Sequence, residues 1–480
     1  MFHLKLKDTL KHSIATVTSH MDSFVYNPGR DYSRIRKLSP DHVISFLISQ
    51  GASSTKCEFL DFFQMSEDLP SISALNQRRS QMMPEALEAV FHEFTSSSEK
   101  LELSKQEQQY QYIAADGSTT SFFSFSKYSS DDYFISEGHS ASGFYSIHIN
   151  AFYDINKRIY TDAILQSAHK KDEFLAFCQL VDRHIPHPDQ RTIFIGDRGY
   201  CSYNNMAHVI EKEQYFVFRT KDITSKGLIG NFVFPDSDTF DITVDVTLTR
   251  SHRKSIKIKD GFYRRYVDQA ASFDYIKYGS EDTYDLTFRI VRFPISEDTY
   301  ECLVTNLPEK NFPVEKLKEI YNSRWGIESS FRKLKYTIGL SHYHSYKPDF
   351  IKQEIWAKFI AYNATELLVA HTVVVHGKRK YSYKVNFTLA AHICRIYLRL
   401  HTETDSINVM ALLQKELVPI RCDRQFPRLK TAHFRKPKYL IYRVSSTVSS
   451  TDSISLFQAD ENLLICRWQN EQEFNHFHIS

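Results

Sequence analysis

The sequence predicts an α/β protein with a helical amino-terminal region, and three observations predict it. Apolar residues recur at three- and four-residue spacing up to about residue 105. Short aromatic and β-branched runs then alternate with helical patterns from Gln111 to Thr220. Over 221–306 that alternation gives way to consecutive strand-like runs. With 480 residues, 42% of them hydrophobic, and only 14 Gly and 14 Pro, the chain has material for a large core and is neither collagen-like nor low-complexity.

Residues 1–105 contain HVISFLISQ, KCEFLDFFQM and EALEAVFHEF, which read as helices parted by Pro40, Gly51, Pro70 and Pro84. Arg34, Arg36 and Lys37, and the segment Ser71 to Gln81 with Arg78 and Arg79, are residue types that reach phosphates and base edges. A solvated helix face accounts for them equally well. Residues 106–220 carry the strands YIAAD, GFYSIHINAFYD and KRIYTDAILQ, the helix DEFLAFCQLVDRHI, the strand TIFIGD, the helix NNMAHVIEKEQ and the strand YFVFRT. In 221–306, SIKIK, FYRRYV, YDLTFRIVRF and ECLVTNL alternate like strands, with Asp260-Gly261 suited to a tight hairpin, which predicts an all-β insertion. Residues 307–345 hold one long helical pattern, VEKLKEIYNSRWGIESSFRKLKYTIGL. Residues 346–480 add two helical stretches, a basic segment from Arg421 to Arg443, and the Ser/Thr-rich SSTVSSTDSIS before a short tail.

Sixty Lys plus Arg against 57 Asp plus Glu leave a net charge of +3, so affinity for a polyanion has to come from local patches. One such patch surrounds the expected insertion hairpin, from Arg250 to Arg265; the other is the basic carboxyl-terminal segment. The seven cysteines are scattered without a Cys-x-x-Cys pair, which argues against a disulfide framework or zinc ribbon and for a reducing cytoplasm. No apolar run approaches the ~20 residues of a membrane span.

Asp116 closes YIAAD and Asp197 closes TIFIGD, at the carboxyl ends of strands where open α/β sheets place ligand sites. A strand-terminal Asp alone is more often a turn or cap residue. In the long helix, Tyr321, Arg324, Glu328 and Lys335 lie at offsets 0, 3, 7 and 14. At ~100° per residue these fall within ~60° of one another. An aromatic hydroxyl, two cations and a carboxylate on one stripe suit a face turned toward a polyanion and its metal ions, whereas a purely structural face would be laced with ion pairs. Trp325, Ile327, Phe331, Leu334 and Ile338 supply a separate apolar face, and Gly326 is a residue that a merely structural helix avoids.

This set resembles the DDE transposases of the bacterial insertion-sequence-four type, whose hallmark is Tyr-x2-Arg-x3-Glu-x6-Lys. YNSRWGIESSFRKLK matches that signature at every defined position, YIAADGST is similar to the first acidic motif, and FIGDRGY to the second. The resemblance implies a ribonuclease-H-like core, interrupted by the insertion, in which Asp116, Asp197 and Glu328 hold two Mg²⁺ ions, with Mn²⁺ able to substitute. It further implies that Tyr321, Arg324, Lys335 and Arg198 contact DNA phosphates. The implied activity is cleavage at the terminal inverted repeats of the protein's own element and strand transfer into target DNA, by a homodimer or higher oligomer assembled on the ends. The implied setting is the bacterial cytoplasm, near the nucleoid and away from membranes. Some relatives stack a flipped base on a Trp in the insertion; none of Trp325, Trp356 and Trp468 lies there, so Phe262 or Tyr263 is the substitute to consider. A catalytically silent relative that occupies or regulates transposon ends is the alternative reading. A glycosidase-like carboxylate pair leaves Tyr321, Arg324 and Lys335 unexplained.

Overall fold

Five helices open the chain: α1 (Phe2–Ser19), α2 (Pro40–Ser49), α3 (Thr55–Phe62), α4 (Ile72–Gln81) and α5 (Glu85–Glu99). Ser54 and Ser71 fix the starts of α3 and α4 by accepting hydrogen bonds from the N–H groups of Cys57 and Ala74. There follow β1 (Tyr110–Phe122), β2 (Phe134–Ser136), β3 (Gly143–Asp154), β4 (Ile159–Ser167), α6 (Glu173–Arg183), β5 (Arg191–Gly196), α7 (Tyr203–Glu211) and β6 (Tyr215–Thr220). The β-rich stretch contributes β7 (Phe240–Thr249), β8 (Phe262–Tyr266), β9 (Thr283–Ser296) and β10 (Thr299–Thr305). After it come α8 (Val314–Ser323), α9 (Trp325–Arg332), a π-helical segment (Lys333–Ile338) and α10 (Pro348–Ala370). Last are β11 (Tyr383–Val385), α11 (Phe387–Tyr397), α12 (Val409–Lys415) and β12 (Leu417–Pro419).

This computed structural model describes residues 2–420 apart from 102–108, 137–142, 224–226, 231, 252–261, 298, 375–380 and 400–406. The SIKIK run, the Asp260-Gly261 turn, the cations from Arg253 to Lys259, and the basic and Ser/Thr-rich segments after residue 420 therefore lie outside the described residues.

One ten-stranded sheet organises the chain, in the order β2-β3-β1-β5-β6-β10-β9-β7-β8 with β4 beside β3. β1 runs antiparallel to β3 and parallel to β5, and β5 runs parallel to β6. β10 is antiparallel to both β6 and β9, and β9 to β7. The β-rich residues 221–306 thus do not fold as an all-β body of their own. Their strands continue the central sheet past β6, because β10 returns to the open edge that β6 leaves.

Strand periodicity of two sorts the core. Ile113 and Ala115 of β1 pack with Phe177 of α6 and Met206 of α7 on one face, while Ala114 packs with Ile327 and Phe331 of α9 on the other. The amino-terminal helices join this second face: Leu10, Phe46 and Phe91 share a single buried cluster with Trp356, Phe359 and Ile360 of α10. A charged network also ties them to α10. The fully buried Arg79 donates to Glu354 at 3.0 Å, and His344 lies 3.3 Å from Glu354 and 3.4 Å from Glu58. Residues 1–420 accordingly form one compact unit.

Candidate active site

Register brings the two aspartates side by side. β1 pairs in parallel with β5 as far as Ala114 opposite Ile195, and two residues further along each strand are Asp116 and Asp197. β5 stops at Gly196, whereas β1 continues to Phe122 along β3, with Asp116 opposite Ala151. Asp116 is therefore within a strand rather than at its end, contrary to the expectation from YIAAD, and the cleft opens because β5 departs. Both side chains follow residues on the α8–α9 face, Ala114 and Ile195. Each carboxylate is oriented by a backbone group close in sequence: Asp116 Oδ1 accepts from the Gly117 N–H at 2.9 Å, and Asp197 Oδ1 from the Gly199 N–H at 2.8 Å.

Glu328 comes to this face on α9. The long helix expected from sequence is irregular on both sides of it. At Arg324 it tightens, with the Arg324 N–H bonding the Tyr321 carbonyl and the Ile327 N–H bonding the Arg324 carbonyl, each three residues back. From Lys333 to Ile338 it widens into a π turn, which Gly339 ends at φ +97°, a conformation that favours glycine. Arg324 is buried and donates from Nη2 to Glu328 Oε1 at 2.7 Å, while Lys335 Nζ donates to the Thr119 carbonyl at 2.9 Å. Lys335 thereby sits over the same strand as Asp116, three residues on.

The electrostatics centre on Asp116. Burial raises its pKa to about 6, with Asp197 and Glu328 adding repulsion and Arg324 and the Gly117 N–H opposing it. Arg324 shows the converse: its charge survives burial because Tyr321, Glu328 and Asp116 surround it. Arg198 is exposed beside this cleft, and its charge and that of Arg324 both act on Glu301, which Arg219 holds at 2.9 Å.

Several expected residues have other duties. Tyr321 is 4% exposed and packs with Leu317 and Ile320 in the core. Its ring lies 5.8 Å from the Arg324 guanidinium carbon, so it sits beneath the charged stripe and beside Arg324. Trp325 is 57% exposed and does not belong to the apolar face of Ile327, Phe331 and Leu334. A Cβ at Gly326 meets only Tyr153, at an ordinary 3.6 Å, so close packing does not demand glycine there. Arg79, a candidate for base or phosphate contact, is 1% exposed and committed to Glu354 and Gln353. Arg250 binds the carbonyls of Asp268, Ala271, Phe273 and Ile276, and Tyr263 is buried against Phe232 with its hydroxyl accepting the Val233 N–H. Neither is placed to contact DNA.

Sequence reasoning passed over the group of His148, Lys171 and Glu173. Glu173 Oε1 lies 3.1 Å from His148 Nε2 and 2.8 Å from Lys171 Nζ. The hydrogen bond from His148 outweighs burial and, with Lys171, holds its pKa at about 2. An acidic residue in the first turn of a helix is ordinary, and only the fold shows that this one borders Gly117 and Gly199.

Comparison with known proteins decides the family. A family model described as a transposase DDE domain matches residues 107–364, more than half of the chain and the whole span from β1 through α9. The chain belongs to the DDE transposase family. Within that family it is similar to the transposase InsG of insertion sequence element IS4 from Escherichia coli K12, 25% identical over 157 residues. That alignment covers 30% of this chain and about a third (35%) of the relative, and it agrees with the insertion-sequence-four resemblance. Among solved structures, a piggyBac transposase synaptic complex with hairpin DNA matches at a TM-score of 0.40 and 8% identity, over 88% of this chain and 84% of that one.

The donor set suits the divalent ions such transposases use. Asp116, Asp197 and Glu328 offer oxygen atoms alone, which favours hard cations such as Mg²⁺ or Mn²⁺ over zinc. Burial chiefly, with repulsion from Asp197 and Glu328 in addition, raises the pKa of Asp116, and a bound cation would offset both. Their oxygens do not all lie within 4.8 Å of one another; among the described residues that spacing is met by Cys178, His208 and Asp274, of which His208 is bonded to Asp274 and Asp182, and Cys178 and Asp274 each accept from Asn204.

Proposed function

We propose that this chain is an active DNA transposase that cuts at the ends of its own element and joins them to target DNA by a cut-and-paste route. The observation that carries the reading is the register of Asp116 beside Asp197 on two parallel strands, facing the helix of Glu328. In this reading β4-β3-β1-β5-β6 is the ribonuclease-H-like core, and the three carboxylates hold two Mg²⁺ or Mn²⁺ ions. When bound, such ions supply an activated attacking oxygen and stabilisation of the leaving oxygen.

The chain's own residues do the rest. Arg324, Lys335 and Arg198 hold backbone phosphates in line, and Tyr321 supports Arg324 from below. Arg34 and Arg36, both exposed, are the amino-terminal contacts to the terminal repeats. No helix among the described residues is long and apolar enough to cross a membrane. Assembly on two ends calls for a dimer or larger oligomer, and a cytoplasmic, nucleoid-associated setting follows from the substrate.

The test uses one end fragment in gel-shift and cleavage assays, with and without Mg²⁺. Asp116→Ala, Asp197→Ala and Glu328→Ala are each expected to abolish cleavage while retaining end binding. Substantial cleavage by any one of them removes that residue from the site. Binding without cleavage by the unaltered chain favours the catalytically silent relative.

A further inference from the structure

The metal-site reading above leaves Glu173 unused, yet its carboxylate borders the same cleft. Asp172 fixes the start of α6 by accepting from the Leu175 N–H at 2.9 Å, which places Glu173 in the first turn. Its two oxygens have different neighbours. Oε1 lies beside two basic side chains, His148 Nε2 at 3.1 Å and Lys171 Nζ at 2.8 Å. His148 is itself 3% exposed, and its Nδ1 lies 3.0 Å from the Thr119 hydroxyl, so the imidazole is fixed from both sides.

Oε2 faces Asp197. A Cβ built on Gly199 lies 3.0 Å from Asp197 Oδ1 and 3.4 Å from Glu173 Oε2, so both carboxylates border one gap. On the other flank, a Cβ built on Gly117 lies 2.9 Å from Glu173 Oε1 and 2.8 Å from His148 Nε2. A side chain at Gly117 would displace the pair, and glycine next to Asp116 is what lets a fourth carboxylate approach. A carboxylate tethered through one oxygen and presenting the other to a metal-site aspartate has the form of an oriented ligand.

We propose that Glu173 is a fourth carboxylate of the divalent-metal site, ligating through Oε2 beside Asp197, with His148 and Lys171 fixing its orientation. Four carboxylates also match the charge of two divalent ions.

Mn²⁺ binding to the full chain, followed by calorimetry and by electron paramagnetic resonance of free Mn²⁺, tests this without any turnover. Glu173→Gln is expected to weaken Mn²⁺ binding ~10-fold or more, as loss of a ligand or its support does. Glu173→Asp keeps the charge and is expected to recover part of the loss. Asp197→Asn serves as the positive control, with circular dichroism confirming the fold of each variant. Wild-type affinity in a folded Glu173→Gln, with Asp197→Asn impaired, overturns the role of Glu173 alone. If Glu173→Gln does not fold, wild-type affinity in Glu173→Asp overturns it instead. Absence of Mn²⁺ binding by the unaltered chain overturns the metal-site reading and this inference together.

Discussion

The fold around Asp116 disfavours its ionised form, chiefly by burial. Its folded pKa of about 6 exceeds the ordinary 3.8, so the stability it contributes is fully present below the ordinary value and is lost as pH rises through about 6. Asp116→Asn should therefore stabilise the metal-free protein near pH 8, by about 1–3 kcal/mol at ~1.4 kcal/mol per pKa unit, and leave it unchanged near pH 4. Thermal melts in a chelator check both limits, and a variant that is less stable near pH 8 contradicts an unfavourable buried carboxylate at this position. The neighbouring cations start from bonded states as well. Arg324 holds Glu328 through Nη2 and Lys335 holds the Thr119 carbonyl, and each keeps further N–H donors for a phosphate. Lys335→Ala is expected to lower the salt slope of end binding by close to one contact and Arg324→Ala by less, since Arg324 is already neutralised. Titrations at several salt concentrations measure the difference, and equal slopes for both variants refute it. Asp116, Asp197 and Glu328 were legible because their motifs are local. Glu173 was not, because its significance lies in the approach of α6 to two glycines distant in sequence.

At the scale of elements, the α8–α9 helix shows what spacing does and does not specify. Offsets along an ideal helix group Tyr321, Arg324, Glu328 and Lys335, but the tight turn at Arg324 and the wide turn from Lys333 to Ile338 alter that stripe. Tyr321 falls into the core and Lys335 is carried onto β1. Helical periodicity could reveal neither irregularity, since nothing in KLKYTI marks a π turn. The strands were more legible: alternation located β1, β3, β5 and β6, and only pairing partners were missing, which is why β9 and β10 looked like a separate body. The network around His344 carries a prediction of its own. Burial opposes its charge, but Glu354 and Glu58 outweigh burial and raise its pKa to about 9. Its contribution is fully present below 6.5 and is lost as pH rises through about 9. Stability of the full chain should fall between these limits, and His344→Gln, less stable near neutrality, should show a flatter profile in denaturant titrations. A variant as steep as the parent assigns the pH dependence elsewhere.

For the whole molecule, the amino-terminal helices are part of the structural core and not a detachable module. Arg79 pairs with Glu354 at 1% exposure for both side chains, and removing one partner of such a pair costs ~3–5 kcal/mol. A chain lacking residues 1–105 should consequently be insoluble or unfolded, as judged by circular dichroism. Recognition by this region is better tested with Arg34→Ala and Arg36→Ala in the full chain, which should bind end DNA more weakly at unchanged melting temperature. A truncated chain that folds cooperatively contradicts the shared core.

The continuity of the sheet from β1 through β5, β6, β10 and β9 to β7 has a mechanical consequence. Main-chain hydrogen bonds join each strand to the next, so among the described residues no joint separates the strands of Asp116 and Asp197 from those of 240–305. Force applied at one end of this ladder reaches the other with little give. A duplex lying against both ends has to do the bending itself, and the energy of that distortion depends on the bases being distorted. Readily kinked pyrimidine–purine steps in a terminal repeat would then be favoured at positions that no side chain touches.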